Sequence, residues 1–177
     1  MIILETKRLL FRPHEPGDLE AYCAMEQDAE VRRYVGGAPR TRQAAKERFQ
    51  SALQPVQDRL RLWATVLKEN NRYIGRCGVY PHLVEGAAIV GEGALGFYFA
   101  RPYWGQGFAS EAGLAFVDFG FGELGLRKIV TTVQVGNAAS ARVLEKLGFA
   151  LVRRELGPRS FDHFELLRPA SVLRSKT

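Results

Sequence analysis

Cysteine is scarce in this sequence. Cys23 and Cys77, in a chain of 177 residues, are too few for a disulfide framework, so burial has to hold the fold, and a reducing cytoplasm is the expected setting. Long apolar runs are missing too. No stretch could span a bilayer, and the charged Glu5-Thr6-Lys7-Arg8 does not read as a signal peptide, so no membrane association is expected. The three histidines, His14, His82 and His163, have no metal-ligand spacing, and no metal is expected. Internal repeats, linkers and low-complexity segments are absent as well. What remains is ordinary for a soluble globular protein: 46% apolar and 25% charged residues. At this length the chain reads as one domain over residues 1–168 that buries roughly 70% of its unfolded surface, with a polar tail at 169–177.

The densest information lies around Tyr103-Trp104-Gly105-Gln106-Gly107-Phe108-Ala109. Ahead of it, Ala94 to Phe99 is a short apolar, aromatic run that predicts a buried strand. Behind it, Ser110 to Leu124 predicts a helix, with Leu114, Val117, Phe121 and Leu124 at helical spacing. Strand, glycine turn and helix together suit a phosphate: glycines let the backbone present successive N–H groups, and the helix start adds partial positive charge. Two phosphate loops are excluded by chemistry. A Walker A loop needs Lys-Ser/Thr after its last glycine, where Phe108-Ala109 stands. A dinucleotide fingerprint needs a third glycine where Ser110 stands, and an acid closing the next strand, which Lys128 to Val135 lacks.

Trp104-Gly105-Gln106-Gly107-Phe108-Ala109 instead resembles the pyrophosphate loop of the GNAT superfamily of acetyl-CoA-dependent N-acetyltransferases, Gln/Arg-x-x-Gly-x-Gly/Ala. Trp104 in place of the leading Gln/Arg is similar to the RimJ/RimL branch, the ribosomal-protein N-terminal acetyltransferases. So are Glu111-Ala112, Asn137 with Ser140, and Glu145-Lys146-Leu147-Gly148-Phe149. The opening Glu5-Thr6-Lys7-Arg8-Leu9-Leu10-Phe11-Arg12 also fits that branch, and the resemblance runs from about Glu5 to Leu167. It implies an α+β fold, a mixed central sheet with two splayed parallel strands flanked by helices.

Taken in order, Met1 to Arg12 reads as an edge strand and Asp18 to Met25 as the start of a helix. Thr41 caps a second helix that ends near Pro55. Leu60 to Leu67 and Arg72 to Tyr80 form a hairpin, and Pro81 to Gly91 reads as a loop. Asn137 opens a helix that stops at Gly148, and Ala150–Leu156 pairs with Ser160–Leu167 across Gly157-Pro158. Net charge is +6, and Arg32, Arg33, Arg40, Arg42, Lys46, Arg48, Arg59 and Arg61 cluster around the early helices. They suit either a solvated helical face or an anionic partner: CoA, or an acidic or RNA-rich surface such as a ribosome. No nucleic-acid-binding motif accompanies them.

By resemblance, the cofactor's arm enters between the strands of Phe97-Tyr98-Phe99 and Ile129–Val133, and its pyrophosphate meets Trp104, Gly105, Gln106, Gly107, Phe108 and Ala109. Asn137 and Ser140 would also contact it, Asn137 with a side-chain amide that could cap the helix as well, and Arg142 and Lys146 suit either CoA phosphates or exposed charge on a helix. The family's usual tyrosine acid falls at Leu144, so Ser140 or a water would protonate the leaving thiolate. Glu92 is the candidate base, with His82, His163 and Asp162 as weaker ones. The acceptor is expected to be a primary amine: a protein N-terminus, on the ribosome for instance, or a small molecule such as a polyamine or antibiotic. The early helical pair would line its cleft. A silent CoA-binding regulatory domain is the reading from another class, and homodimerisation is left open.

Overall fold

The computed structural model describes residues 1–54 and 59–170. One eight-stranded sheet organises them, in the order β1-β2-β3-β4-β5-β6-β8-β7. The strands are β1 (Leu4–Glu5), β2 (Leu9–Arg12), β3 (Trp63–Leu67), β4 (Arg72–Val84), β5 (Ala87–Phe99), β6 (Lys128–Gln134), β7 (Ala150–Glu155) and β8 (Phe161–Leu167). Every neighbouring pair is antiparallel except β5–β6. That pair is parallel because a helix, α4 (Phe108–Gly122), crosses between its strands. The mixed sheet flanked by helices agrees with the fold expected from sequence.

Side-chain alternation gives the sheet two apolar faces. Leu95 and Phe99 of β5 join Phe116, Val117 and Phe119 of α4 in the larger core, with Leu144 of α5 (Ala138–Lys146) fully buried beside them. Tyr98, one residue out of phase, joins the other cluster with Tyr22 and Met25 of α1 (Leu19–Gln27) and Phe49 of α3 (Arg42–Leu53). Thr41 caps α3 as expected, its Oγ1 accepting the Ala44 N–H at 3.2 Å. No helix among the described residues is long and apolar enough to cross a membrane.

Three expectations need correction. The opening is a hairpin, not one edge strand: the Thr6 N–H bonds the Leu9 carbonyl, and Thr6 Oγ1 accepts the Leu9 N–H. The stretch 81–91 is not a loop. β4 runs on to Val84 and β5 begins at Ala87, joined by Glu85-Gly86 with both residues at positive φ, the geometry of a tight hairpin turn. Pro81 concealed this, and the ladder shifts register there because proline has no N–H to donate. A short helix, α2 (Ala29–Arg32), was also unforeseen; Asp28 caps it through the N–H groups of Glu30 and Val31. The helix end at Pro55 and the tail from 171 lie outside the described residues.

The second cluster contains an unusual group. His14 is 6% exposed, lies edge-on to Tyr22 and Phe49, and has no partner for either ring nitrogen among the described residues. Burial, helped by the nearby Arg76 charge, pushes its pKa down to about 4. An unfolded histidine titrates near ~6.5, so below that pH the unfolded chain takes up a proton that folded His14 refuses. Stability therefore falls as the pH drops from about 6.5 to about 4, by on the order of 3 kcal/mol from this residue. His14→Phe, which keeps an aromatic ring in the cluster, is expected to flatten the pH dependence of urea unfolding across that window. Parallel slopes for variant and parent would show that His14 does not control it.

Candidate active site

The β5–β6 ladder is short. It pairs Glu92, Gly93 and Ala94 with Lys128, Ile129 and Val130 and then stops, although β5 continues to Phe99 and β6 to Gln134. Both strands stay paired on their outer sides, β5 with β4 through Phe99 and β6 with β8 through Gln134. The sheet therefore parts in its middle. The Ala100 N–H bonds the Ile74 carbonyl in register with the β4–β5 ladder, which fixes the phase of the alternation. Gly96 and Tyr98 turn their backbone groups toward β4, while Phe97 and Phe99 turn theirs toward the gap. The Phe99 carbonyl accepts the Trp104 indole N–H at 2.7 Å, leaving the N–H and carbonyl of Phe97 and the N–H of Phe99 free for a ligand. Tyr98 thus offers its ring, not its backbone.

The glycine loop follows at the open end. Gly105 and Gly107 have φ of 73° and 81°, and nothing lies within 4 Å of a Cβ placed on Gly105. Gly107 stands at the N-cap of α4 with no side-chain cap, so the first N–H groups of a long helix have no capping acceptor. The loop is closed by its own side chain, Gln106 Nε2 donating to the Pro102 carbonyl at 2.8 Å.

Sequence reading treated the opening motif and the loop motif as separate, and the structure joins them. Glu111, in the first turn of α4, accepts from Thr6 Oγ1 (2.6 Å), the Arg8 N–H (2.9 Å) and Arg8 Nε (2.6 Å). Burial pushes the Glu111 carboxyl up, but these bonds outweigh it and hold the pKa below the ordinary value. Arg8 also donates to the Gln106 carbonyl at 3.0 Å and lies over the Phe108 ring. The β1–β2 turn thus clamps the loop and sets a guanidinium beside it.

On the far wall, Gln134 ends β6 with its side-chain Oε1 buried and without a partner among the described residues. Asn137 caps α5, accepting the Ser140 N–H on Oδ1 at 3.2 Å. The hydroxyl of half-buried Ser140 makes no bond to a described residue. Arg142 is exposed on the outside of α5, as is Lys146. Leu144 has no exposure, so the usual tyrosine position belongs to the core. A Cβ on Gly113, in the second turn of α4, would meet Leu147 Cδ1, at the end of α5, at 2.6 Å, so the two helices pack closely there. Because β5 and β6 run parallel, the segments that follow them, the glycine loop and Asn137, lie beyond the same end of the sheet.

Glu92 lies at the opposite, closed end of the ladder. Its Oε2 accepts from His82 Nδ1 (2.9 Å) and faces Lys128 Nζ at 3.2 Å. Burial raises its pKa, and these two partners more than offset that, leaving it below the ordinary value. His163 and Asp162 are occupied by Glu155 and Arg154 of β7. Among the described residues no group of His, Cys, Asp and Glu could hold a metal ion. The structure therefore gathers Phe97, Phe99, Trp104 to Ala109, Asn137 and Ser140 around one opening, and leaves Glu92 outside it.

Sequence reasoning missed the other side of the same strand. A Cβ on Gly96 would lie 3.0 Å from the Tyr80 ring, 3.1 Å from Leu62 and 3.3 Å from the Tyr98 ring. Leu62 also lines a half-open cavity of about 560 Å³ between α1, α3 and the sheet. Burial, with Tyr98 adding to it, pushes the Tyr80 phenol up to about 12, so it remains a donor at neutral pH. Chemically, free strand backbone can take up an extended amide-bearing arm as an extra strand would, and an uncapped helix start suits a diphosphate.

The chain matches the family described as "Acetyltransferase (GNAT) domain" over residues 8–150. The uncharacterized N-acetyltransferase p20 of Bacillus licheniformis is 30% identical over 154 residues, covering 84% of this chain and 83% of p20. YkkB of Bacillus subtilis is 38% identical over 87 residues, so this chain spans about half of that relative, 49% of each. Among solved structures, a GNAT-family acetyltransferase from Bacillus anthracis superposes with a TM-score of 0.80 at 24% identity, over 95% of this chain and 99% of its own. The spermidine N-acetyltransferase of Vibrio cholerae, solved with CoA and spermine, gives 0.76 at 19% identity over 96% and 100%.

Gly107→Val is expected to weaken acetyl-CoA binding at least tenfold in calorimetric titration, because a β-branched residue resists φ near 81° and its side chain would fill the space beside Arg8 where a diphosphate is expected. Gly107→Ala should lose less. Unchanged affinity in a folded Gly107→Val protein would remove the loop from the site.

Proposed function

The chain belongs to the GNAT acetyltransferase family and is an acetyl-CoA-dependent N-acetyltransferase, and from that premise we propose that it acetylates α-amines, with the N-terminus of a peptide or protein as leading acceptor, in the manner of the RimJ/RimL branch. The observation that carries the α-amine reading is the state of Glu92, a carboxylate already engaged by His82 and Lys128. Without a free strong base, the reaction draws on the fraction of amine that is already neutral. An α-amine with pKa near ~7.7–8.0 is about one-tenth neutral at pH 7, whereas a lysine amine near ~10.4 is neutral in about one molecule in a few thousand.

Bound acetyl-CoA supplies a thioester carbonyl open to attack by a neutral amine. The uncapped N–H groups of α4, with Arg8 beside them, hold the diphosphate. Phe97 donates its free N–H to the thioester oxygen as negative charge develops there; one such donor is worth about 10²–10³ in rate. Asn137 has committed its Oδ1 to Ser140, which leaves its amide N–H₂ for the cofactor arm. Ser140 hydrogen-bonds the departing sulfur and relays to it the proton that the attacking amine loses as the C–N bond forms and the C–S bond breaks, so the hydroxyl ends as it began. A thiol with a pKa near ~8.5 leaves readily, so a hydrogen bond suffices where the usual tyrosine is lost to the core. Small-molecule α-amines are the second reading, favoured by the modest size of the cavity beside Gly96.

Two measurements test this. Ser140→Ala should lower kcat by about 10²–10⁴ with acetyl-CoA affinity little changed. An unchanged rate would assign the proton to water, and a joint fall in rate and affinity would make Ser140 a binding residue. Matched peptides, one with a free N-terminus and acetylated lysine and one the reverse, are expected to release CoA faster from the first. Faster turnover of the lysine peptide would overturn the α-amine reading and point to Glu92 or another residue as a strong base.

A further inference from the structure

The cavity between α1, α3 and the sheet is lined by Arg40, Arg48, Arg76, Tyr22, Glu47 and Leu62, among others. Its charge is unbalanced. Glu26, 2% exposed at the edge of this region, is shared by Arg32, Arg40 and Arg76. Burial pushes the Glu26 carboxyl up, and the arginines, Arg76 foremost, more than offset it, so it stays ionised and satisfied. The arginines are not equally satisfied. Arg76 is 5% exposed, gives Nη2 to Glu26, and leaves Nη1 buried without a partner among the described residues. Arg48 is exposed, reaches the Tyr22 hydroxyl, and is ion-paired with no carboxylate among the described residues. Among the described residues, the four guanidinium groups of Arg32, Arg40, Arg48 and Arg76 therefore stand against two carboxylates, Glu26 and Glu47. Burying a guanidinium group with an unfilled N–H is costly, and an anionic ligand removes that cost.

The cavity also adjoins the reacting strand. Arg76 stands directly opposite Tyr98 in the β4–β5 ladder, with its guanidinium 4.9 Å from the Tyr98 ring centroid. Leu62 touches both the cavity and the Gly96 position. We propose that the acceptor carries a carboxylate, which docks on Arg76, Arg48 and Arg40 while its amine reaches the thioester beside Phe97. The substrate class is then an amine bearing a carboxylate a few bonds away, drawn from an acidic side chain near a peptide N-terminus or from a free amino acid. A polyamine such as the spermine bound by the Vibrio cholerae enzyme has the wrong charge for this cavity. The inference rests on the acetyl-transfer reading above and narrows its acceptor.

The test is a panel measured by CoA release at saturating acetyl-CoA: N-terminal peptides identical except for Asp, Ala or Lys at the second residue, free aspartate and glutamate, and spermidine. The Asp peptide or the free acidic amino acids are expected to exceed the Ala peptide at least tenfold in kcat/KM, with the Lys peptide and spermidine lowest. Which of the two leads identifies the source of the carboxylate. Arg48→Gln, at an exposed position that leaves the fold intact, should shrink the Asp-over-Lys preference severalfold, chiefly through KM. Equal or reversed preference in the parent overturns the inference while leaving acetyl transfer standing. If no member is acetylated, the α-amine reading fails instead, and direct titration of the Asp and Lys peptides decides the inference. Tighter binding of the Asp peptide, weakened by Arg48→Gln, keeps it, and equal binding ends it.

Discussion

The parting of β5 from β6 after Ala94 and Val130 is the constraint on which the rest of the structure depends. Each strand remains bonded to its outer neighbour, so the gap has rigid walls and does not need to be opened by a ligand. A buried, unpaired backbone group costs about 1–3 kcal/mol, which a ligand that bonds to it recovers. Trp104 offsets part of this cost by bonding the Phe99 carbonyl, at the position where the family's loop usually has Gln or Arg. The loop is then fixed from outside, because Glu111 ties the first turn of α4 to Thr6 and Arg8. Removing that carboxylate would free the helix start and the hairpin turn together.

The same strand serves two clients through its alternation. Phe97 and Phe99 present backbone to the gap, while Tyr98 packs on the side of the sheet that α1 and α3 cover and Gly96 lies against Leu62, a residue that lines the cavity there. On the proposed reading, cofactor and acceptor approach one short segment from different directions; glycine at 96 fits because a Cβ there would press on Tyr80, Leu62 and Tyr98. Charge is divided in the same way. Arg8 stands at the loop, and Arg40, Arg48 and Arg76 stand at the cavity. Most of the other basic residues that gave the early helices their charge are occupied locally, Arg42 by Glu20, Arg33 by Glu30 and Arg59 by Glu123.

The glycine loop, the caps of α3 and α5 and the closing hairpin were legible because each rests on local chemistry: positive φ, a side-chain oxygen at an N-cap, a stop glycine. The family resemblance supplied the splay, which no local pattern encodes; it is a failure to pair between segments more than thirty residues apart. Pro81 hid the continuation of β4, since a proline inside a strand argues against one until the bulge is seen. Glu92 shows the limit most clearly. Its place before the central strand was visible, but its engagement by His82 and Lys128 depends on two other strands. Arg76 was silent for the same reason, because a lone arginine in a strand acquires meaning only once Glu26 and an open cavity lie next to it.

The gap itself can be observed residue by residue through amide hydrogen exchange measured by NMR, with and without acetyl-CoA. In the free protein the N–H groups of Gly96 and Tyr98, bonded to β4, should exchange slowly, and those of Phe97 and Phe99 much faster. Acetyl-CoA should slow Phe97 and Phe99 and leave Gly96 and Tyr98 nearly unchanged. Equal protection of all four in the free protein, or no response of Phe97 to acetyl-CoA, would contradict the account.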